Sequence, residues 1–161
     1  DGLGQSPADA IDSEKWSVLL PKLCLFSVFN YDGYWPFRYQ KGDDILLDFA
    51  TTVKNFCRSN DVAARYGGDE FFWCCLKQRL RGIYIAERIR EEMASQAFQH
   101  KGQDFNVTVS FGIAEFDSKL TKNPADLMKV ANQALYKAKH EGRNRTIVGT
   151  PWQNLSIGFE L

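Results

Sequence analysis

The order of apolar and polar positions along the chain predicts a mixed domain of strands and helices. Residues 23–29 form a nearly continuous apolar run, which is typical of a strand buried on both faces. Residues 62–66 and 71–76 are two further short β-type runs, and residues 145–148 predict a short last strand. Residues 106–114 alternate large and small side chains, so the small-residue face of this strand can accept a helix at close range.

Apolar side chains at helical spacing predict the helices. A short helix is predicted over residues 7–20 and a longer one over residues 42–60. The last helix has Asn123 as its N-cap and Pro124 at its first position. A further helix over residues 83–96 has an apolar face and a charged face that we expect to be solvated, made of Glu87, Arg88, Arg90, Glu91 and Glu92.

The predicted order of elements is β-α-β-β-α-β, followed by a helix and a short strand. This is the ferredoxin-like pattern of the α/β (α+β) class, in which helices pack against a sheet. At 161 residues the chain is expected to form a single domain, 1–161, with its core at about residues 23–148. Many ligand-binding and RNA-binding domains share this order, so the order alone does not define a function.

Composition and charge exclude some classes of partner. Hydrophobic residues make up 44% of the chain and charged residues 25%, which is ordinary for a globular protein. Twenty basic residues balance twenty acidic ones, so no nucleic-acid partner is expected. No apolar run is long enough to cross a membrane and no signal peptide is visible, so we expect a cytoplasmic domain without membrane contact. The chain begins at Asp1 rather than Met, so we expect a fragment of a longer protein that could be membrane-anchored.

The cysteines do not indicate a metal site. Cys24, Cys57, Cys74 and Cys75 include no C-x-x-C pair, and no histidine lies at metal-binding spacing. Reduced, buried thiols are therefore expected. Cys74 and Cys75 are neighbours in a predicted strand, so their side chains should face opposite sides of the sheet.

Two glycines and two acids separate the β-type runs 62–66 and 71–76, which predicts a hairpin turn. Gly67 and Gly68 supply the backbone freedom that a tight turn needs and let a phosphate or ribose come close. Asp69 and Glu70 are adjacent carboxylates, so one can hold a cation while the other has a different role. An ordinary solvated turn is the alternative interpretation.

The five residues Gly67-Gly68-Asp69-Glu70-Phe71 resemble the signature of the GGDEF family, the diguanylate cyclase domains, which join two GTP molecules into cyclic di-GMP. Other segments resemble that family in the same order along the chain. They are Gly42-Asp43, the R-x-x-D spacing of Arg58 and Asp61, and residues 86–90, 108–114 and 134–144. The resemblance therefore implies a nucleotide-cyclase-like fold of the GGDEF type.

The resemblance implies catalytic roles for the two hairpin acids. Asp69 would ligate the catalytic Mg²⁺ or Mn²⁺, and Glu70 would sit beside the attacking ribose 3′-oxygen. Gly67 and Gly68 would admit the nucleotide, and Asp43 would contact the guanine edge.

Further roles follow from the same resemblance. Lys139 and Arg143 would hold the β- and γ-phosphates of GTP. Because each domain would hold one GTP, catalysis would need a two-fold homodimer. Arg58 and Asp61 correspond to the family's product-inhibition site, and Arg88 is assigned to cyclic di-GMP binding with them.

The segment before the first long helix departs from the family pattern, which has Asp-x-Asp at the end of the first strand, then a Lys and a guanine-binding Asn. An ungapped match places Phe26 at the first Asp and Tyr34 at the Asn. A gapped match, which we prefer, places residues 30–32 on Asp-x-Asp and Trp35 on the Lys. Both matches lack the first metal carboxylate.

The missing carboxylate weakens the expected metal site. Asn30 could offer a neutral oxygen to the metal, but hard divalent cations prefer charged carboxylates. Weak binding of Mg²⁺ or Mn²⁺ and weakened catalysis are therefore expected, unless Asp32 compensates as a substrate-binding carboxylate. Cyclic di-GMP could bind at Arg58 and Asp61, or in the former active site with Tyr34 or Trp35 stacking on guanine.

Three functions stay open at this stage. The first is a diguanylate cyclase that binds GTP as substrate and cyclic di-GMP as product inhibitor, under the control of an upstream sensory domain. The second is a receptor that binds cyclic di-GMP or GTP without turnover. The third is a ferredoxin-like protein-interaction module that binds neither nucleotide.

Overall fold

The computed structural model describes residues 23–32, 42–59, 61–67, 70–76, 79–100, 102–116 and 123–149. Within these ranges the chain forms seven strands and three helices. The strands are β1 (Leu23–Asp32), β2 (Val62–Gly67), β3 (Glu70–Leu76), β4 (Ala97–His100), β5 (Gln103–Asn106), β6 (Thr108–Ala114) and β7 (Thr146–Gly149). The helices are α1 (Gly42–Phe56), α2 (Arg79–Ser95) and α3 (Pro124–His140).

A five-stranded sheet forms the centre of the domain, in the order β2-β3-β1-β6-β7. The apolar strand β1 lies in the middle and pairs antiparallel with both β3 and β6. Only β6 and β7 pair in parallel among the described strands, because α3 forms the crossover between them. The arrangement confirms the predicted α+β fold with a ferredoxin-like core and a final helix and strand.

Helices cover both faces of the sheet. α1 and α2 pack on one face, in a cluster that includes Phe49, Ile89, Trp73 and Cys75. α3 packs on the other face through Leu127, Ala131 and Leu135, in a cluster that includes Cys74. Cys74 and Cys75 therefore face opposite sides, as their adjacent strand positions predict. Both thiols are buried, and neither forms a disulfide among the described residues.

The small-residue face of β6 receives α3 at close range, as the alternation of residues 106–114 predicts. A Cβ atom built on Gly112 would overlap the backbone of Ala131 and Leu135, and would lie 2.7 Å from the Cβ atom of Leu135. The beginning of α3 is also as predicted. The Asn123 side chain accepts a hydrogen bond from the backbone N–H of Asp126 at 3.0 Å, and Pro124 is the first helical residue.

Several elements differ from the sequence prediction. Helix α1 ends at Phe56, before the predicted end at residue 60. β1 continues to Asp32, three residues beyond the apolar run 23–29 that predicts it. Helix α2 begins at Arg79 rather than at residue 83. A hairpin of β4 and β5, with Phe98 and Phe105 stacked 5.8 Å apart, was not predicted.

Several sequence predictions fall outside the described residues. They are the helix over residues 7–20 and the predicted site residues Tyr34, Trp35, Gly68 and Asp69. In the part of the chain that the structure describes, none of the helices is long and apolar enough to span a bilayer.

Candidate functional site

The hairpin predicted around the glycines is present. β2 ends at Gly67 and β3 begins at Glu70, and these two residues are paired across the turn. Glu70 is half-buried at the first position of β3. The hairpin tip therefore lies at the end of the sheet where β3 begins.

Strand pairing brings the last residues of β1 to the same end of the sheet. Phe29 pairs with Phe71, and continuing this antiparallel register by one residue puts Asn30 opposite Glu70. On its other side, Asn30 pairs with Ser110 and Asp32 with Thr108. Phe26 instead pairs with Cys74, well inside the sheet. Asn30 rather than Phe26 therefore lies at the level of the hairpin tip.

The turn between α3 and β7 lies at this same end of the sheet, beyond β6. Phe111 pairs with Phe29 in β1 and with Thr146 at the start of β7. Since β6 and β7 are parallel, the residues just before Thr146 lie at the same end of the sheet as the hairpin tip. Arg143 is in that turn and is exposed, and Lys139 is half-buried in the last turn of α3. The topology thus brings Glu70, Asn30, Asp32 and Arg143 to one end of the sheet.

A cavity of about 940 Å³ extends along the face where α1 lies over β2 and β3. Asp44, in the first turn of α1, is part of its lining. Asp43 precedes it in the same turn, which begins at Gly42. The other lining residues include Leu47, Val53, Arg58, Asp61, Arg65, Phe71 and Trp73. The cavity is therefore mainly apolar, with both cationic and acidic groups along it.

One of the residues that line the cavity carries a buried hydrogen-bond donor. Trp73 is 4% exposed, and its indole N–H has no hydrogen-bond partner among the residues that the structure describes. A buried donor without a partner is destabilising, and an acceptor on a ligand would relieve it. Trp73 is one functional candidate that the sequence did not indicate, because its position reads as an ordinary strand residue.

Arg58 and Asp61 form a closed turn at the other end of β2. The backbone N–H of Arg58 donates to the Asp61 carboxylate at 2.9 Å, and the backbone N–H of Asp61 donates to the Arg58 carbonyl at 3.0 Å. The Arg58 side chain is exposed. Because β2 separates this turn from Gly67, the two candidate sites lie about 17 Å apart along the strand.

Arg88 lies beside the Arg58 turn. Its guanidinium is 5.5 Å from the centre of the Phe56 ring, and Phe56 is the last residue of α1, two positions before Arg58. Arg88 also lies 5.8 Å from the Tyr84 ring centre and donates to the Tyr84 hydroxyl at 3.1 Å. These contacts place a second exposed guanidinium near the end of α1, two residues before Arg58.

The thiol next to this turn has a raised pKa. Burial, with the charge of Asp61, raises the pKa of Cys57 to about 11. The thiolate is the nucleophilic form, so Cys57 is a poor nucleophile in this surrounding.

The charged face of α2 is not wholly solvated, contrary to the sequence prediction. Arg90 has a side chain only 18% exposed and donates two hydrogen bonds to Glu87, at 2.9 Å and 2.8 Å. It also donates to the Asn144 side chain at 3.1 Å. Burial alone would raise the pKa of Glu87, but the hydrogen bonds from Arg90 and the charge of Arg90 lower it. Sequence periodicity missed this connection because its partners are far apart along the chain.

Comparison with protein families gives a match over most of the described chain. A family model described as "Diguanylate cyclase, GGDEF domain" matches residues 36–145. Diguanylate cyclase A of Treponema denticola is 32% identical over 133 residues, which cover 82% of this chain and 34% of that protein. Response regulator PleD of Caulobacter vibrioides is 33% identical over 114 residues, or 69% of this chain and 25% of PleD. The chain thus spans about a third or less of these relatives.

Solved structures share the fold. The GGDEF domain of DgcB from Caulobacter crescentus, solved in complex with c-di-GMP, superposes with a TM-score of 0.75 at 26% identity, covering 84% of this chain and 82% of that one. A GGDEF domain of PA1120 from Pseudomonas aeruginosa gives a TM-score of 0.78 at 23% identity over 94% and 95% of the two chains, which is a likeness of fold alone.

Proposed function

Because this chain belongs to the GGDEF family, whose diguanylate cyclases act in cyclic di-GMP signalling, we propose that it joins two GTP molecules into cyclic di-GMP with weakened catalysis and also binds this product. The observation that supports the activity most is the meeting of three segments at one end of the sheet. They are the hairpin tip at Glu70, the end of β1 at Asn30 and Asp32, and the turn at Arg143.

These segments and the cavity along α1 supply different parts of a GTP site. Lys139 and Arg143 bind the β- and γ-phosphates, since cationic side chains bind phosphate best as charge-assisted donors. The cavity along α1 takes the guanine ring, with Asp43 at its edge and Gly67 and Gly68 leaving room for the sugar and phosphates. Glu70 lies beside the attacking 3′-oxygen and accepts its proton.

The residues present fit a divalent metal only in part. GGDEF diguanylate cyclases generally depend on such a metal. Here Asp69 supplies a carboxylate, but the strand position opposite Glu70 holds Asn30, whose amide oxygen is neutral. When bound, Mg²⁺ or Mn²⁺ would neutralise charge on the phosphates and lower the pKa of the attacking hydroxyl. With one carboxylate fewer, metal affinity and turnover are reduced.

Cyclic di-GMP binds at the turn of Arg58 and Asp61, with Arg88 contributing from α2. Both arginines are exposed, and Arg88 is held at this end of α1 by its contacts with Phe56 and Tyr84. A guanidinium can donate two hydrogen bonds to a guanine edge or a phosphate. Arg58 and Asp61 also line the cavity along α1. The product therefore binds about 17 Å from the hairpin tip, at the far end of β2.

The neutral Asn30 favours a second candidate function. A domain that keeps Arg58, Asp61 and Arg143 but lacks the first metal carboxylate can bind cyclic di-GMP or GTP without turnover. In that case the domain is a receptor, and Tyr34 and Trp35 are candidates for stacking on guanine in the former active site.

The reaction needs two copies of the domain, because each copy holds one GTP and the two must meet. GGDEF domains act as dimers in this family. In the full-length protein, an upstream sensory domain would control how the two copies meet. The full-length protein could be anchored in the membrane while this domain stays in the cytoplasm.

The test is the conversion of GTP to cyclic di-GMP by the purified domain with Mg²⁺ and with Mn²⁺. Slow product formation that is lost on Glu70→Gln is expected, because this change removes the proton acceptor and keeps the size of the side chain. GTP binding without product in both metals would favour the receptor. The absence of both binding and product would contradict both candidates.

A further inference from the structure

The turn that carries Arg143 has an unusual backbone. Gly142, Arg143 and Asn144 follow one another with φ of 109°, 58° and 46°. Glycine adopts positive φ freely and asparagine tolerates it. For an arginine, this conformation costs about 1 kcal/mol. A strained conformation of this kind persists only where surrounding contacts hold it.

Contacts on both sides hold this turn. The backbone N–H of Arg143 donates to the Ala138 carbonyl at 3.0 Å, which joins the turn to the end of α3. The Arg145 Nε donates to the Arg143 carbonyl at 3.1 Å. A contact from outside the turn is the hydrogen bond of 3.1 Å from Arg90 Nη1 to Asn144 Oδ1, between residues 54 positions apart in the sequence.

Arg90 is itself rigidly oriented. Its Nε and Nη2 both donate to one carboxylate oxygen of Glu87, one turn earlier on α2, and its side chain is only 18% exposed. Charge-assisted bonds from a planar guanidinium fix direction as well as distance. The remaining donor therefore holds Asn144 at a defined position relative to α2.

We infer that Arg90 and Asn144 are positioning residues for phosphate binding: their hydrogen bond keeps the left-handed turn in the conformation that presents Arg143 to the β- and γ-phosphates of GTP. The inference rests on the proposed function, in which Arg143 binds these phosphates. Neither Arg90 nor Asn144 needs to contact the nucleotide. Their effect is therefore specific to nucleotides that have a β- and γ-phosphate.

The test compares the affinities of the domain for GTP and GMP, measured by calorimetry. Asn144→Gly removes the acceptor and keeps a residue that adopts positive φ without strain, so the fold is retained. Arg90→Lys removes the planar fork and keeps the charge. Glu91→Gln is the matched control on the same helix, because Glu91 is 66% exposed and lies 3.6 Å from Arg90.

For the unmodified domain, GTP is expected to bind more tightly than GMP. In Asn144→Gly and Arg90→Lys, GTP affinity is expected to fall about tenfold, while GMP affinity and the affinities of Glu91→Gln stay within about twofold. An equal loss for GTP and GMP would overturn the inference, since it would indicate a general structural role. An unchanged preference for GTP in both variants would also overturn it and leave the proposed function standing. The absence of GTP binding by the unmodified domain would overturn the proposed function and this inference together.

Discussion

Asp61 accepts a hydrogen bond from the backbone N–H of Arg58, and its own backbone N–H donates back to the Arg58 carbonyl. The R-x-x-D spacing is therefore a closed turn in which the carboxylate holds the backbone and leaves the Arg58 side chain exposed. This separates the roles of the two residues. Arg58 is available to the ligand, while Asp61 shapes the turn that presents it.

We expect Arg58→Ala to weaken cyclic di-GMP binding by at least about tenfold, because hydrogen bonds to charged groups are among the strongest polar contacts. The exposed position of Arg58 means that stability should change by less than about 0.5 kcal/mol. Calorimetric titration and thermal unfolding measure the two effects. Unchanged affinity would move the binding site to the former active site.

Asp61→Asn is the companion variant. Its amide oxygen can still accept from the Arg58 N–H, so the turn should persist, whereas Asp61→Ala loses this acceptor and about 1 kcal/mol of stability. If both variants are equally stable in chemical denaturation, the hydrogen bond does not hold the turn.

Gly112→Ala should be among the most destabilising changes to one residue. The added Cβ would overlap the α3 backbone at Ala131 and Leu135, and overpacking of this kind costs about 1–3 kcal/mol or more. Gly102→Ala is the control: its Cβ would have nothing within 4 Å, although φ is +79°, so we expect about 1 kcal/mol. Denaturant unfolding of both variants measures the difference, and equal losses would contradict close packing of α3 on β6.

Asn30→Asp should increase metal-dependent turnover. The change puts a carboxylate at the strand position opposite Glu70, where divalent cations gain a charged ligand. The rate of cyclic di-GMP formation at low Mg²⁺ should rise, and the metal concentration at half-maximal rate should fall. Phe26→Asp is the control, because Phe26 pairs with Cys74 away from the hairpin tip. Improvement by Phe26→Asp alone would support the ungapped match.

Glu87 should make stability depend on pH in the acid range. Its pKa is lower in the folded chain than its ordinary value of 4.5, so the unfolded chain binds more protons as the pH falls. The stabilising contribution is therefore present above about pH 4.5 and is lost below it. Because the side chain is 37% exposed, we expect at most about 1 kcal/mol.

Glu87→Gln should therefore be less stable than the unmodified domain at pH 7 and differ less from it at pH 3. Urea unfolding at the two values measures this change. A difference that stays constant with pH would show that the ion pair with Arg90 is not the source of the effect.

Local signals in the sequence were enough to predict much of the fold. The Asn123 cap, the small-residue face around Gly112 and the two-glycine turn each depend on neighbouring residues, and the structure confirms all three. The β4–β5 hairpin was missed because Phe98 and Phe105 are the only large apolar residues in its two strands, which leaves little alternation to detect.

Pairing between distant segments could not be predicted in the same way. Residues 30–32 have low strand propensity in part, yet they continue β1 because β6 provides a ladder for them. Arg90 was predicted to face solvent since its partner Asn144 belongs to another element. The gathering of Glu70, Asn30 and Arg143 at one end of the sheet likewise depends on strand order, which single-residue patterns do not contain.

The most direct test of the central claim is a calorimetric titration of the purified domain with cyclic di-GMP, paired with a GTP turnover assay on the same sample in Mg²⁺ and Mn²⁺. The account predicts micromolar binding of cyclic di-GMP, about −8 kcal/mol, together with slow formation of product. Binding without turnover would identify a receptor instead of a cyclase. The absence of both binding and turnover would contradict the account, and only the description of the fold would stand.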